Sequence, residues 1–192
     1  MNSRQDKQIL GFYPLRRLGK DHGRSHSGFT LLEVMVTVAI IGVLVGLAIG
    51  GIQNLLPKFR LNAAARQIRG DMQKCKMAAV RNNTDCLMVF TEGNSTGDAG
   101  SYEACFDAND NDACDAGETI VLTGNLNDDD FVGVFLNEVK FGGFLDNNFF
   151  NFNSRGLSKT GNALGNGRVN CTNKNNDHQK INVFSTGRIR IE

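Results

Sequence analysis

From Phe29 to Ile52 the chain reads FTLLEVMVTVAIIGVLVGLAIGGI, and only Thr30, Glu33 and Thr37 carry polar side chains in those twenty-four residues. A helix rises about 1.5 Å per residue, so about 20 such residues cover the hydrocarbon core of a bilayer. The stretch predicts a transmembrane helix over residues 29–52. A secretory signal would carry a shorter apolar core, roughly 7–15 residues, with a small-residue cleavage site behind it. Here the small residue, Gly28, stands in front. Residues 1–28 hold Arg4, Lys7, Arg16, Arg17, Lys20 and Arg24. Under the positive-inside rule that leader stays cytoplasmic and the C-terminal domain is sent outward.

Glu33 is the anomaly in this segment. A carboxylate there costs about 2.5–3.5 kcal/mol on insertion scales unless it is paired or reaches the interface. It either snorkels from the helix end into membrane lipid headgroups or meets a cation. Cleavage after Gly28 would create such a cation, the α-amino group of Phe29. One molecule's amine could then pair with a neighbour's Glu33, which implies packed helices.

The string Ser27-Gly28-Phe29-Thr30-Leu31-Leu32-Glu33 resembles the class III signal of type IV pilins and type II secretion pseudopilins. The resemblance implies that prepilin peptidase cuts between Gly28 and Phe29 and methylates the new amine. It implies that Glu33 guides docking onto other pseudopilins or pilins at an inner-membrane assembly platform. The protein would then be a single-pass inner-membrane protein with a periplasmic head. Gly42, Gly46 and Gly50 recur every four residues. Such a stripe lets membrane helices approach closely, although glycine is also simply tolerated in lipid.

Beyond the membrane segment the helical period continues over residues 53–83. Leu61, Ala64, Ile68, Met72, Cys75 and Ala79 fall at spacings of three and four. Residues 58–81 are net +6 and residues 82–146 net −13, although the whole chain is only +1. The basic run is a solvated face, a partner for acidic neighbours in an oligomer, or a site for anionic lipid or nucleic acid. The pattern RLNAAARQIRGDMQKCKMAAVRNN followed by CLMVF is similar to the GspH/FimT branch of the pilin superfamily. That branch holds secretion pseudopilins of the GspH type and FimT/FimU-like minor pilins of type IV pili.

The 192 residues suffice for one domain with a real core, and 41% hydrophobic content excludes wholesale disorder. Strand candidates at 86–90, 101–106, 119–122, 131–136, 149–152, 168–171, 180–184 and 188–191 alternate with glycine and Asn/Asp clusters. The expected fold class is α+β, a pilin-like lollipop. Its long N-terminal helix, transmembrane in its first half, would pack on a small antiparallel β head over residues 84–192. No nucleophile–base pair, phosphate loop or histidine cluster supports an enzyme.

Five cysteines in a chain bound for an oxidising compartment imply disulfides and one thiol left over. Cys105 with Cys114 is the preferred pair. Cys75 is expected to be a buried free thiol, and Cys86 with Cys171 is a guess from two strands. The loop from Asp107 to Glu118 places Asp107, Asn109, Asn111, Asp115 and Glu118 at EF-hand positions 1, 3, 5, 9 and 12. Asp112 stands where glycine is expected. The loop is therefore either a Ca2+ site or a hairpin of Asx turns. At the C-terminus, alternation puts Arg188 and Arg190 on one face and Ile189 and Ile191 on the other. Gly187, Arg188 and Arg190 resemble the DNA-contacting Gly-Arg-x-Arg tail of FimT-type pilins, with Arg168, Lys174 and Lys180 as possible extensions. The alternative is an amphipathic last strand with solvated arginines.

Overall fold

The computed structural model describes residues 28–142, 147–161 and 163–192. The leader lies outside the described residues up to its last position, Gly28. The chain divides into two compact units, with the boundary between Val43 and Leu44.

One helix, α1, runs from Leu31 to Asn82. Its start is capped: the Glu33 backbone N–H donates to Thr30 Oγ1 at 3.2 Å, satisfying one of the donors that a helix N-terminus leaves open. Its end is a left-handed cap. Asn83 has φ 51°, and the Thr84 N–H reaches back to the Ala79 carbonyl at 3.2 Å, the six-to-one bond of a Schellman turn. Pro57 lies inside the helix, where it supplies no N–H to the preceding turn. In the head, all six apolar positions predicted from the period are buried, none more than 2% exposed. Burying a large one such as Leu61, Ile68 or Met72 is worth about 1.5–3 kcal/mol.

Ten strands follow among the described residues, in two antiparallel sheets. The first sheet contains β1 (Cys86–Thr91), β2 (Ser101–Phe106), β3 (Ile120–Asn125), β5 (Phe149–Phe152), β6 (Ser158–Thr160) and β7 (Ala163–Leu164). Their order is β3-β2-β1-β5-β6-β7. The second holds β4 (Val134–Phe141), β8 (Gly167–Asn173), β9 (His178–Val183) and β10 (Ile189–Ile191), ordered β10-β9-β8-β4. Inward side chains of both sheets and the buried stripe of α1 form one core. Its aromatic centre joins the sheets: Phe141 of β4 packs 4.5 Å from Phe150 of β5, and Phe90 of β1 lies 5.9 Å from Phe141.

The strand predicted over 131–136 is displaced. Phe131 closes a 3-10 turn, Asp129–Phe131, and Gly133 at φ 83° breaks the extended run. The strand then starts at Val134 and uses the alternation of the following residues to reach Phe141. β6 and β7 were not legible, because they are only three and two residues long and are held by pairing, β6 onto β5 and β7 onto β6.

The cysteine pairing also needs correction. Cys75, expected free, is bonded to Cys86. The tight turn at Asn83 returns the chain so that the end of α1 and the start of β1 lie side by side, with Cα atoms 5.8 Å apart, inside the range a disulfide bridges. The guessed Cys86–Cys171 bond is therefore absent. Cys171 sits on β8 of the other sheet as a buried free thiol. Cys105 and Cys114 are bonded.

Candidate functional site

Leu31–Ile49 is apolar and long enough to cross a membrane, with mean hydropathy 2.6 and no side chain buried. Gly28 and Phe29 precede the helix and are exposed. Thr30 and Glu33 also have the spacing of a capping box, and an acid in the first turn complements the helix dipole. The residue read as an assembly charge thus has a second, local role that the Thr-x-x-Glu spacing could have announced. A Cβ at Gly42 or Gly46 would meet nothing within 4 Å, so the stripe is open to a neighbour. Gly50 lies on the same helix.

The acidic loop folds back over the outer face of the first sheet. Cys114 is tied to Cys105 of β2. Asp112 Oδ1 accepts from the buried Asn151 amide of β5 at 3.3 Å. Lys159, half-buried in the neighbouring strand, bonds Asp85 at 2.7 Å. That bond, opposed by desolvation, holds the ammonium above its ordinary value, with Asp110 and Asp112 adding to it. Within the loop the oxygens read as calcium ligands accept N–H groups. Asp107 takes the backbone of Asn111 and Asp112, and Glu118 takes that of Ala108 and Asp115. Asn109 and Asn111 both donate to Asp115 Oδ2, which lowers the Asp115 pKa. Among the described residues no group of three or more His, Cys, Asp or Glu is placed to hold a metal. In this arrangement the loop forms a hairpin of Asx turns.

At the C-terminus Arg188 and Arg190 are exposed and Ile189 is buried. Arg190 stands opposite Asn182, Asn182 opposite Arg168, and Arg168 opposite Lys140. These four form a row across the outer face of the second sheet. Lys140, Arg168, Asn182 and Phe184 line a groove of about 510 Å³ there. Lys180 shares that face, whereas Lys174 lies against Gly133 past the far end of β8. Glu138 bonds both Lys140 and Arg168 at 3.2 Å, with its carboxyl held below the usual range chiefly by Lys140. Gly187 has a structural reason of its own. Its φ is 73°, a Cβ there would strike the Gly156 carbonyl, and its own carbonyl accepts from Lys76 Nζ at 2.8 Å. The glycine of the tail is thus required by packing against α1, whatever the arginines touch.

Sequence reasoning missed one polar lock between helix and sheet. Tyr102 of β2 donates from Oη to Asp71 Oδ2 of α1 at 2.7 Å, and Lys74 bonds the other oxygen at 2.7 Å. Burial first, and then Asp71, push the phenol far above its ordinary range, so it remains a donor. Gly124, opposite Tyr102, leaves room for the ring, which a Cβ would run into. A lone aspartate in a basic helical run was the available signal.

A family model of the prokaryotic N-terminal methylation motif matches residues 23–51, and one described as type II transport protein GspH matches residues 64–187. The chain belongs to the GspH family. This GspH-family chain is 39% identical over 98 residues to the pilin-like protein PilA1 of Thermus thermophilus, covering 50% of this chain and 58% of that one. It is 32% identical over 84 residues to a type IV major fimbrial protein FimA of Dichelobacter nodosus, covering 42% and 52%. The chain spans about half the length of the curated relatives it matches. The crystal structure of the Pseudomonas aeruginosa type IV minor pilin FimU aligns with TM-score 0.45 at 12% identity, over 70% of this chain and 90% of that one. The chain joins an apolar N-terminal helix to an antiparallel β domain.

Proposed function

We propose that the protein is a minor pseudopilin of the GspH type. It would be processed by prepilin peptidase at Gly28–Phe29, methylated on Phe29, and assembled into a periplasmic pseudopilus of a type II secretion system. The observation that carries this is the GspH match over residues 64–187, next to a methylation motif that spans the apolar helix. Glu33 pairs with a neighbour's amine, and the open faces at Gly42 and Gly46 admit the neighbour's helix. Other pseudopilins, the peptidase and the inner-membrane assembly platform are the partners.

A second reading, a FimT/FimU-like minor pilin of a type IV pilus acting in assembly or DNA uptake, draws support from the pilin names of the relatives. The exposed Arg188 and Arg190 also favour it. DNA held by such a tail would be bound through phosphates, without sequence preference and with steep salt dependence. Deletion of the gene in its native host separates the two readings. Loss of exported proteins from the medium with surface pili intact supports the secretion reading. Loss of pili or of DNA uptake with export intact overturns it in favour of the second.

A further inference from the structure

The triplet Asn-x-Ser/Thr, with x other than proline, accepts N-linked glycans where it lies on a surface loop of an exported chain. The sequence holds it at Asn82-Asn83-Thr84, Asn94-Ser95-Thr96 and Asn170-Cys171-Thr172. The fold separates the three. Asn170 and Thr172 lie on β8, only 7% and 2% exposed. Asn82 ends α1, and its Nδ2 is committed to the Ala78 carbonyl at 2.9 Å. Asn94 stands in the connection between β1 and β2, where residues 94–98 are all exposed. Its Oδ1 accepts from the backbone N–H of Thr96 at 3.0 Å and of Gly97 at 2.7 Å, and from the Thr96 hydroxyl at 3.3 Å. Among the described residues its Nδ2 donates no hydrogen bond. The connection is held in this shape: the Gly93 N–H donates to the Leu136 carbonyl at 2.9 Å and the Asn94 N–H to the Asp98 carbonyl at 2.7 Å. Asp98 Oδ1 in turn accepts from the Gly100 N–H and from Asn127 Nδ2 at 2.9 and 2.6 Å. A hollow of about 250 Å³, lined in part by Asn94, Thr96 and Lys174, adjoins the loop and leaves room for a first sugar ring.

We propose that Asn94 is a modification site, the acceptor of an N-linked glycan delivered by an oligosaccharyltransferase from a polyprenyl-diphosphate-linked oligosaccharide. In the transfer, Asn94 Nδ2 forms a C–N bond to the anomeric carbon of the sugar. The bond from that carbon to the diphosphate oxygen breaks, its electron pair leaves with the polyprenyl diphosphate, and the amide gives up one proton. An amide nitrogen is a weak nucleophile, because its lone pair is shared with the carbonyl. As the proton leaves, charge collects on Oδ1, and the three donors already aimed at that oxygen favour the charged form. The turn therefore holds the carbonyl and leaves the nitrogen to the incoming sugar. Only the biological setting, a head outside the cytoplasm, rests on the assembly reading. The transfer itself uses neither prepilin peptidase nor fibre assembly, so its failure is distinguishable from failure of that reading.

The experiment incubates the folded full-length chain, in mild detergent, with a purified single-subunit oligosaccharyltransferase and a polyprenyl-diphosphate oligosaccharide. Proteolysis and tandem mass spectrometry then locate the added glycan, and an acceptor peptide of unrelated sequence in the same tube reports that the enzyme is active. The glycan is expected on Asn94 and on neither Asn82 nor Asn170. Asn94→Gln keeps an amide but moves it by one methylene, and it should abolish the added mass. Thr96→Ala should lower transfer and Thr96→Ser, which keeps the hydroxyl, should restore it, with circular dichroism confirming the fold of each variant. An active enzyme that leaves Asn94 bare or merely deamidated would overturn the proposal. So would equal transfer to Asn82 or Asn170 of the folded chain, or transfer indifferent to the Thr96 hydroxyl.

Discussion

Replacing Tyr102 by Phe tests how the head grips its helix. The ring keeps its place, 5.7 Å from Phe90 and above Gly124. Only the hydroxyl is lost, and with it the 2.7 Å bond to Asp71 Oδ2. Asp71 is 6% exposed, so the abandoned oxygen finds little water, although Lys74 still holds its partner oxygen. A hydrogen bond to a charged acceptor is worth about 1.5–3 kcal/mol. In a domain of this size that lowers the melting temperature by roughly 3–12 °C. Thermal and urea unfolding of the full-length chain in mild detergent, followed by circular dichroism, reads the loss. Asp71→Ala and the double variant complete a cycle, whose coupling should be at least about 1 kcal/mol. A loss below about 0.5 kcal/mol, or additive single effects, would refute the reasoning that a buried carboxylate depends on this phenol.

The remaining predictions concern the thiol, the loop and the membrane charge. Thiol titration of the unfolded, unreduced chain should find one free cysteine. In the native state Cys171, its thiol pushed up to about 12 by burial, should resist alkylation near neutral pH. Because that folded value lies above the unfolded one, stability should fall by about 1.4 kcal/mol per pH unit above about 9. Cys171→Ala should flatten that alkaline slope in urea melts. Calcium at millimolar concentration should leave the melting temperature unchanged, and a rise of several degrees would show that the Asp107–Glu118 turn rearranges around the ion. Glu33→Ala should still insert into the membrane but should reduce fibre incorporation, scored by fractionation of sheared fibres; normal incorporation would show that the pairing is dispensable.

What could be read from the residues was what local chemistry sets. The apolar run, the three-four period from Leu61 to Ala79 and the alternation of β2 and β5 depend on near neighbours, and those elements are found where they were expected. The failures depend on residues distant in sequence or on backbone geometry. Cys75 reaches Cys86 because Asn83 takes a left-handed turn, which no spacing of cysteines reveals. The short strand Ser158–Thr160 exists because β5 offers an edge, and Ala163–Leu164 because Ser158–Thr160 then offers the next. The loop from Asp107 to Glu118 was read from spacing as a Ca2+ site or a hairpin of Asx turns, and which N–H groups its oxygens accept could be seen only in the fold. Gly187 was legible as part of an arginine tail, but its packing against Gly156 and Lys76 required the fold.

The account stands on assembly after processing, and intact-mass analysis of the protein from native membranes tests that most directly. The predicted species begins at Phe29 and carries a methylated amine, whereas the Gly28→Ala variant should accumulate as the uncleaved chain. A chain that keeps residues 1–28 in cells whose prepilin peptidase is active would contradict it.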